Sequence, residues 1–174
     1  MSNFKQKLRQ ARRREATVDV CLRGDLAGEY EQLEKHLAEL PTNTKLGGDP
    51  ERQRLAAELD RVRAEMQEGT EPFKLRALSE NAFQRLIDQH PPRRKGDEVD
   101  EVDAAYGYDR STFPQALIQA STYEPELDDE DWALLFDQAL SRGQFATLRT
   151  AAQLVNGQQV DVPFSSAASS ESQD

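Results

Sequence analysis

The sequence predicts a mainly α protein of the α+β class: a helical bundle with a protruding antiparallel helical hairpin and a small two- to three-stranded antiparallel sheet. Three observations predict it. Apolar residues recur at steps of three and four along most of the chain, two short stretches on either side of the hairpin alternate apolar and polar residues, and most prolines and glycines fall between these segments. The expected layout is a basic flexible arm over 1–16, one mostly helical domain over 17–164, and a disordered Ser-rich tail over 165–174. Within the domain, the hairpin of residues 25–69 is inserted between strands 17–22 and 71–78.

Taken in order, the arm carries Lys5, Lys7, Arg9, Arg12, Arg13 and Arg14 against the single acid Glu15. In TVDVCL, residues 17–22, Val18, Val20 and Leu22 alternate with Asp19 and Cys21 as in a half-buried strand. Leu26, Tyr30, Leu33, Leu37 and Leu40 then fall on one stripe of a helix, although Gly28 weakens it. PTNTKLGGDP, residues 41–50, cannot continue that helix and reads as a loop. Pro50 suits a first helical turn, and Leu55, Leu59, Val62 and Met66 form a second stripe. Two such stripes predict helices paired through a narrow seam.

EPFKLRAL, residues 71–78, resumes the alternation and is expected to pair with 17–22. Ser79 suits the N-cap of a helix to about Gln89, ended by His90-Pro91-Pro92. Residues 93–110 switch from Arg93, Arg94 and Lys95 to Asp97, Glu98, Asp100, Glu101 and Asp103, which predicts an irregular, solvated loop. Helices are expected from Thr112 to about Thr122, with Phe113, Leu117 and Ile118 inward, and after an Asp128 or Asp129 cap, with Trp132, Leu135, Phe136 and Leu140 buried. Arg142-Gly143 reads as a break before a last helix bearing Phe145, Leu148, Ala152 and Val155. QVDVPF, residues 159–164, echoes the first strand and is the candidate third strand, confined to an edge by Pro163.

Composition narrows the function classes. The 174 residues include 22 Lys+Arg and 32 Asp+Glu, a net charge of -10, so a small acidic domain with much polar surface is expected. One cysteine excludes an internal disulfide framework, and two histidines are too few for a dedicated zinc site. No apolar run approaches the roughly 18 residues of a membrane span, and no apolar stretch follows the N-terminal basic residues as in a signal peptide. A cytoplasmic protein without membrane contact is the simplest expectation.

Catalytic patterns are missing: the chain has no phosphate-binding glycine loop, no H-E-x-x-H and no C-x-x-C. Cys21 reads as a packing residue, and His36 and His90 as an exposed and a helix-terminating histidine. The acids from Asp97 to Asp103 lack the glycine and closing Glu of a calcium loop, and Asp128, Asp129, Glu130 and Asp131 read as a charged helix start. Neither an enzyme nor a cofactor or metal site is expected. Nucleic-acid binding by the arm is disfavoured by the acidic net charge and the lack of interleaved aromatics. The hairpin stripes remain, with Leu33, Leu37, Leu59 and Val62 as partner-binding candidates; internal packing and partner capture or self-association stand as equal alternatives.

FKLRALSENAFQRLIDQHPPR, residues 73–93, and ELDDEDWALLFDQALSRGQFATLRTAAQLVNG, residues 126–157, together resemble a group of small proteins from the tail-gene clusters of actinobacterial siphophages and prophages, the tail assembly chaperones. The shared elements are F-x-L-R-A-L before a helix with an aromatic at Phe83, the H-P-P-R end, P-E-L-D-x-E-D-W opening a helix, a later G-Q-F helix start, and V-x-V-P-F-S before a Ser-rich tail. The R-x-x-T-V-D-V-C-L-R-G-D-L stretch from Arg14 and the hairpin are similar too, so the likeness covers most of residues 15–166. It implies a non-enzymatic protein of the host cytoplasm that binds the long helical tape measure protein, recruits tail tube subunits and is absent from the mature virion. A longer product made by ribosomal frameshifting often accompanies such proteins. Two alternatives remain: a structural component of the tail or head–tail connector, and a small nucleic-acid-binding regulator using the basic arm.

Overall fold

The computed structural model describes residues 3–41 and 49–159. Its central feature is the antiparallel pairing of β1 (Glu15–Cys21) with β2 (Thr70–Arg76), Val18 lying opposite Phe73. Two flanking bonds set the phase of this ladder: the Leu22 N–H donates to the Gly69 carbonyl at 2.8 Å, and the Ala77 N–H to the Arg14 carbonyl at 2.9 Å. Even-numbered residues of β1 therefore exchange bonds with β2, and odd-numbered ones turn their backbone groups the other way. Side chains alternate with the same period, so Ala16, Val18 and Val20 join Phe73 and Leu75 on the core face. On the opposite face Arg76 Nε meets Glu15 at 2.7 Å and Lys74 meets Glu124 at 2.8 Å.

Among the described residues the third strand comes from elsewhere than the expected 159–164 segment. It is β5 (Thr122–Glu124), which pairs with β2 through Lys74 and Leu75, giving the order β1-β2-β5. Residues 160–164 lie outside the described residues, as do the expected Ser-rich tail and most of the 41–50 loop. Since β5 covers so little of β2, Pro72 sits where its missing N–H costs no ladder bond: the phase of the β1 pairing turns position 72 toward the β5 side.

Helices cover the core face of the sheet. α6 (Phe113–Ser121) contributes Phe113, Leu117 and Ile118, α7 (Asp129–Leu134) with the following π turn Leu135–Ala139 contributes Trp132 and Leu135, and α8 (Arg142–Gly157) contributes Leu148, Ala152 and Val155. α4 (Glu80–Gln89) adds Phe83, Leu86 and Ile87 at the margin. Phe73 meets Trp132 edge-on at 6.3 Å, and Trp132 stacks on Phe136 at 5.4 Å. The caps explain the boundaries. Ser79 accepts from the Ala82 N–H and Asp128 shares a capping box with Asp131. Ser141 forms a second box with Gln144, so Arg142-Gly143 is the first turn of α8 rather than a break before it. At the other end of α8, the Asn156 side chain accepts from the Leu78 N–H at 2.7 Å and donates to Ser121 Oγ at 2.9 Å, satisfying a buried hydroxyl.

Two polar segments are more ordered than expected. The arm holds α1 (Asn3–Gln10), built from good helix formers and exposed throughout, and β1 starts at Glu15 because Glu15 and Ala16 already pair with Arg76 and Leu75. Residues 93–110 fold into a hairpin of β3 (Arg94–Lys95) and β4 (Glu98–Val99), turning at Gly96 with φ +68°, followed by α5 (Glu101–Tyr106). Asp103 is buried at 0% exposure, and its carboxylate accepts from Arg93 Nε at 2.6 Å, Arg93 Nη2 at 3.0 Å and the Arg93 and Arg110 backbone N–H groups. The change of sign along this stretch is thus an internal ion pair.

The Arg93 hydrogen bonds hold the Asp103 carboxyl far below the usual carboxylate range, against the opposing effect of burial. A depressed carboxylate stabilises the fold above its unfolded pKa of about 4, and that contribution is lost as pH falls through the native value. Asp103→Asn is expected to lower Tm by several degrees at neutral pH and to flatten the fall of Tm below about pH 4, as read by thermal melts across pH.

Candidate partner-binding cleft

The hairpin that carried the partner-binding candidates is formed by α2 (Ala27–Glu39) and α3 (Pro50–Glu68), the latter capped by Asp49. Its stripes face each other. Leu59 is 7% exposed and Val62 0%, with Leu55 and Leu26 buried beside them, while Leu33 and Leu37 are half-buried along the same seam. Arg61 reaches across to Glu29 at 3.0 Å, and Arg52 Nη2 donates to the Leu40 carbonyl at 2.8 Å. Leu59 and Val62 pack mainly on the facing stripe, because two facing stripes bury most apolar area on each other, but an edge of Leu59 lines a shallow groove with Glu34, Leu37, Ala38 and Arg52. Leu33 and Leu37 are the more accessible of the four candidates.

A second open apolar surface, more concave, lies at the Cys21–Thr70 end of the sheet. Leu22 continues the inward-facing series of β1 one step past the strand and stays 43% exposed, and Leu134, on the outer side of α7, is 54% exposed. Between them Phe73 and Leu135 form a floor, Pro125 and Leu127 line the wall where the chain leaves β5 for α7, and Glu71 and Asp131 stand at the rim. The Asp131 carboxylate is held by the Asp128 backbone N–H at 3.3 Å. The volume is about 270 Å³, just under the roughly 300–1,000 Å³ of small-ligand pockets. Such a cleft seats one or two apolar side chains with a cation beside them.

Of the remaining candidate groups, Cys21 and His90 are engaged in structure. The Cys21 thiol points at the Met66 carbonyl at 3.5 Å, and His90 Nδ1 lies 2.9 Å from Thr112 Oγ1 with its ring edge-on to Phe113. His36 lies exposed in the last turn of α2. Among the described residues no three His, Cys, Asp or Glu side chains converge as a metal site, and no helix is long and apolar enough to cross a membrane. Periodicity missed the cleft because Leu134 falls off the buried α7 stripe and Leu22 reads as one more strand residue. An apolar residue between stripe positions, close in sequence to the carboxylates of a helix start, is the signal that was present.

Compared with protein-family models, curated proteins and solved structures, the chain matches none.

The seam and the cleft respond differently to truncation. Leu59→Ala is expected to destabilise the hairpin by roughly 2–5 kcal/mol, and Leu134→Ala to change stability by no more than about 0.5 kcal/mol, both read from urea unfolding curves.

Proposed function

We propose that the chain is a tail assembly chaperone: a non-enzymatic protein of the host cytoplasm that holds the tape measure protein and assists assembly of tail tube subunits around it. The observation that carries this reading in the structure is the exposed apolar cleft of Leu22, Phe73, Leu127, Leu134 and Leu135, rimmed by Glu71 and Asp131. The likeness over residues 15–166 supplies the identity of the client. An amphipathic helix presents apolar residues three and four positions apart, and two such residues suit the cleft while a flanking Lys or Arg meets the rim carboxylates. The net charge of -10 helps to keep an apolar client dispersed.

Magnitudes favour weak holding. Two buried anchors contribute about 3–6 kcal/mol, comparable with the lower estimates for the loss of translational and rotational freedom on association. A protein that must yield its client to polymerising tube subunits has use for such a balance, with several copies on one long helix adding avidity.

Co-expression with a tape measure protein, followed by pull-down, tests the reading together with a mass-spectrometric inventory of mature particles. The expected outcome is capture, loss of at least tenfold in affinity with Leu22→Asp or Leu134→Asp at little change in stability, and absence from particles. Abundant protein in particles without capture of the tape measure protein would instead make the chain a structural component of the tail or connector.

A further inference from the structure

Among the described residues the edge of β1 away from β2 is unpaired, which makes it a second surface, separate from the cleft. Its backbone N–H and C=O groups at Glu15, Thr17 and Asp19 point away from β2, because the even-numbered residues take all the bonds to that strand. Among the described residues no strand pairs with this edge; the Cys21 carbonyl at its end accepts from Gln144 Nε2 at 2.6 Å. Exposed edges are usually blunted by proline, lysine or a bulge. β1, with the sequence EATVDVC and an unbroken register, has no proline, lysine or bulge, and its charges are the acids Glu15 and Asp19 on the outer face.

We propose that this edge pairs with the β1 edge of a second copy of the chain, antiparallel about a two-fold axis at Val18, giving one continuous six-stranded sheet. The register follows from the residues. Side chains directly opposite in an antiparallel pair share a face, so the pairing must set odd residues against odd. Centred on Thr17, it would place Glu15 opposite Asp19; centred on Asp19, it would place the two Asp19 carboxylates together. Centred on Val18, it sets Thr17 opposite Asp19 in both halves, so each hydroxyl can donate to a carboxylate, and Glu15 opposite Cys21. The same register uses the outward backbone groups of Thr17 and Asp19 in both copies, as an isologous contact requires. Thr147, Ala151 and Leu154 follow Gln144 along the flank of α8 that overlooks this edge and line an open groove of about 410 Å³, leaving room for the facing α8 of the second copy.

Sedimentation equilibrium of the full chain over a wide concentration range, with hydrogen exchange of the β1 amides, tests the pairing. A reversible dimer is expected, with the Thr17 and Asp19 amides slowing as it forms. Thr17→Asp faces Asp19 with a like charge twice per dimer and is expected to weaken association about tenfold, while Thr17→Asp combined with Asp19→Lys restores it. Both positions are exposed, and an unchanged thermal melt of each variant at dilution shows that the monomer fold is retained. A monomer up to the millimolar range overturns the proposal. So does a dimer indifferent to Thr17→Asp, or protection of these amides that is already complete in dilute monomer, which would assign the edge to another segment of the same chain. Client capture through the cleft is a separate property, and either result leaves it standing.

Discussion

The pairing of β1 with β2 is the constraint on which the rest of the structure depends. It joins two strands separated in sequence by the whole α2–α3 hairpin, and its inner face, through Val20, Phe73 and Leu75, is the floor on which α6, α7 and α8 pack. A long excursion between paired strands carries an entropic cost that grows only slowly with its length. Here the excursion is itself ordered by its own seam, so the ends that reach the sheet arrive already close together. The strand phase also decides which side chains reach the core and which backbone groups remain at the edge.

Local rules made much of this legible. Alternation marked both strands and steps of three and four marked the hairpin and the last helix, while Ser79 and Asp128 announced helices by chemistry that acts within one turn. What failed was whatever depended on partners distant in sequence or on a second function for a familiar residue. Asp103 looked like one more solvated acid because its partner, Arg93, lies beyond the range of helix spacing rules. Thr122–Glu124 is too short to show a period, and β2, already satisfied along one side by β1, needed only a fragment on the other. Arg142-Gly143 reads as a stop, yet the Ser-x-x-Gln spacing from Ser141 to Gln144 is that of a capping box, and the box starts the helix there.

The candidate site shows the same division. Stripes reveal residues that are buried, and of the four hairpin candidates Leu59 and Val62 are buried in the seam while Leu33 and Leu37 are half-buried. A binding surface is made of apolar residues that the fold leaves over, and Leu22 and Leu134 become neighbours only once β1 and α7 meet at one end of the sheet. Charge follows a related logic: the Asp131 carboxylate that closes the capping box of α7 also stands beside the cleft, opposite Glu71 of β2.

Asn156 has a consequence for everything attached after α8. Its amide clamps the last turn of that helix to the backbone at Leu78 and to Ser121, at the Glu15–Arg76 end of the sheet. The cleft opens at the Cys21–Thr70 end, and a seven-residue strand is roughly 20 Å long. The chain beyond Gly157 therefore sets out from a fixed anchorage a strand's length away from the mouth of the cleft.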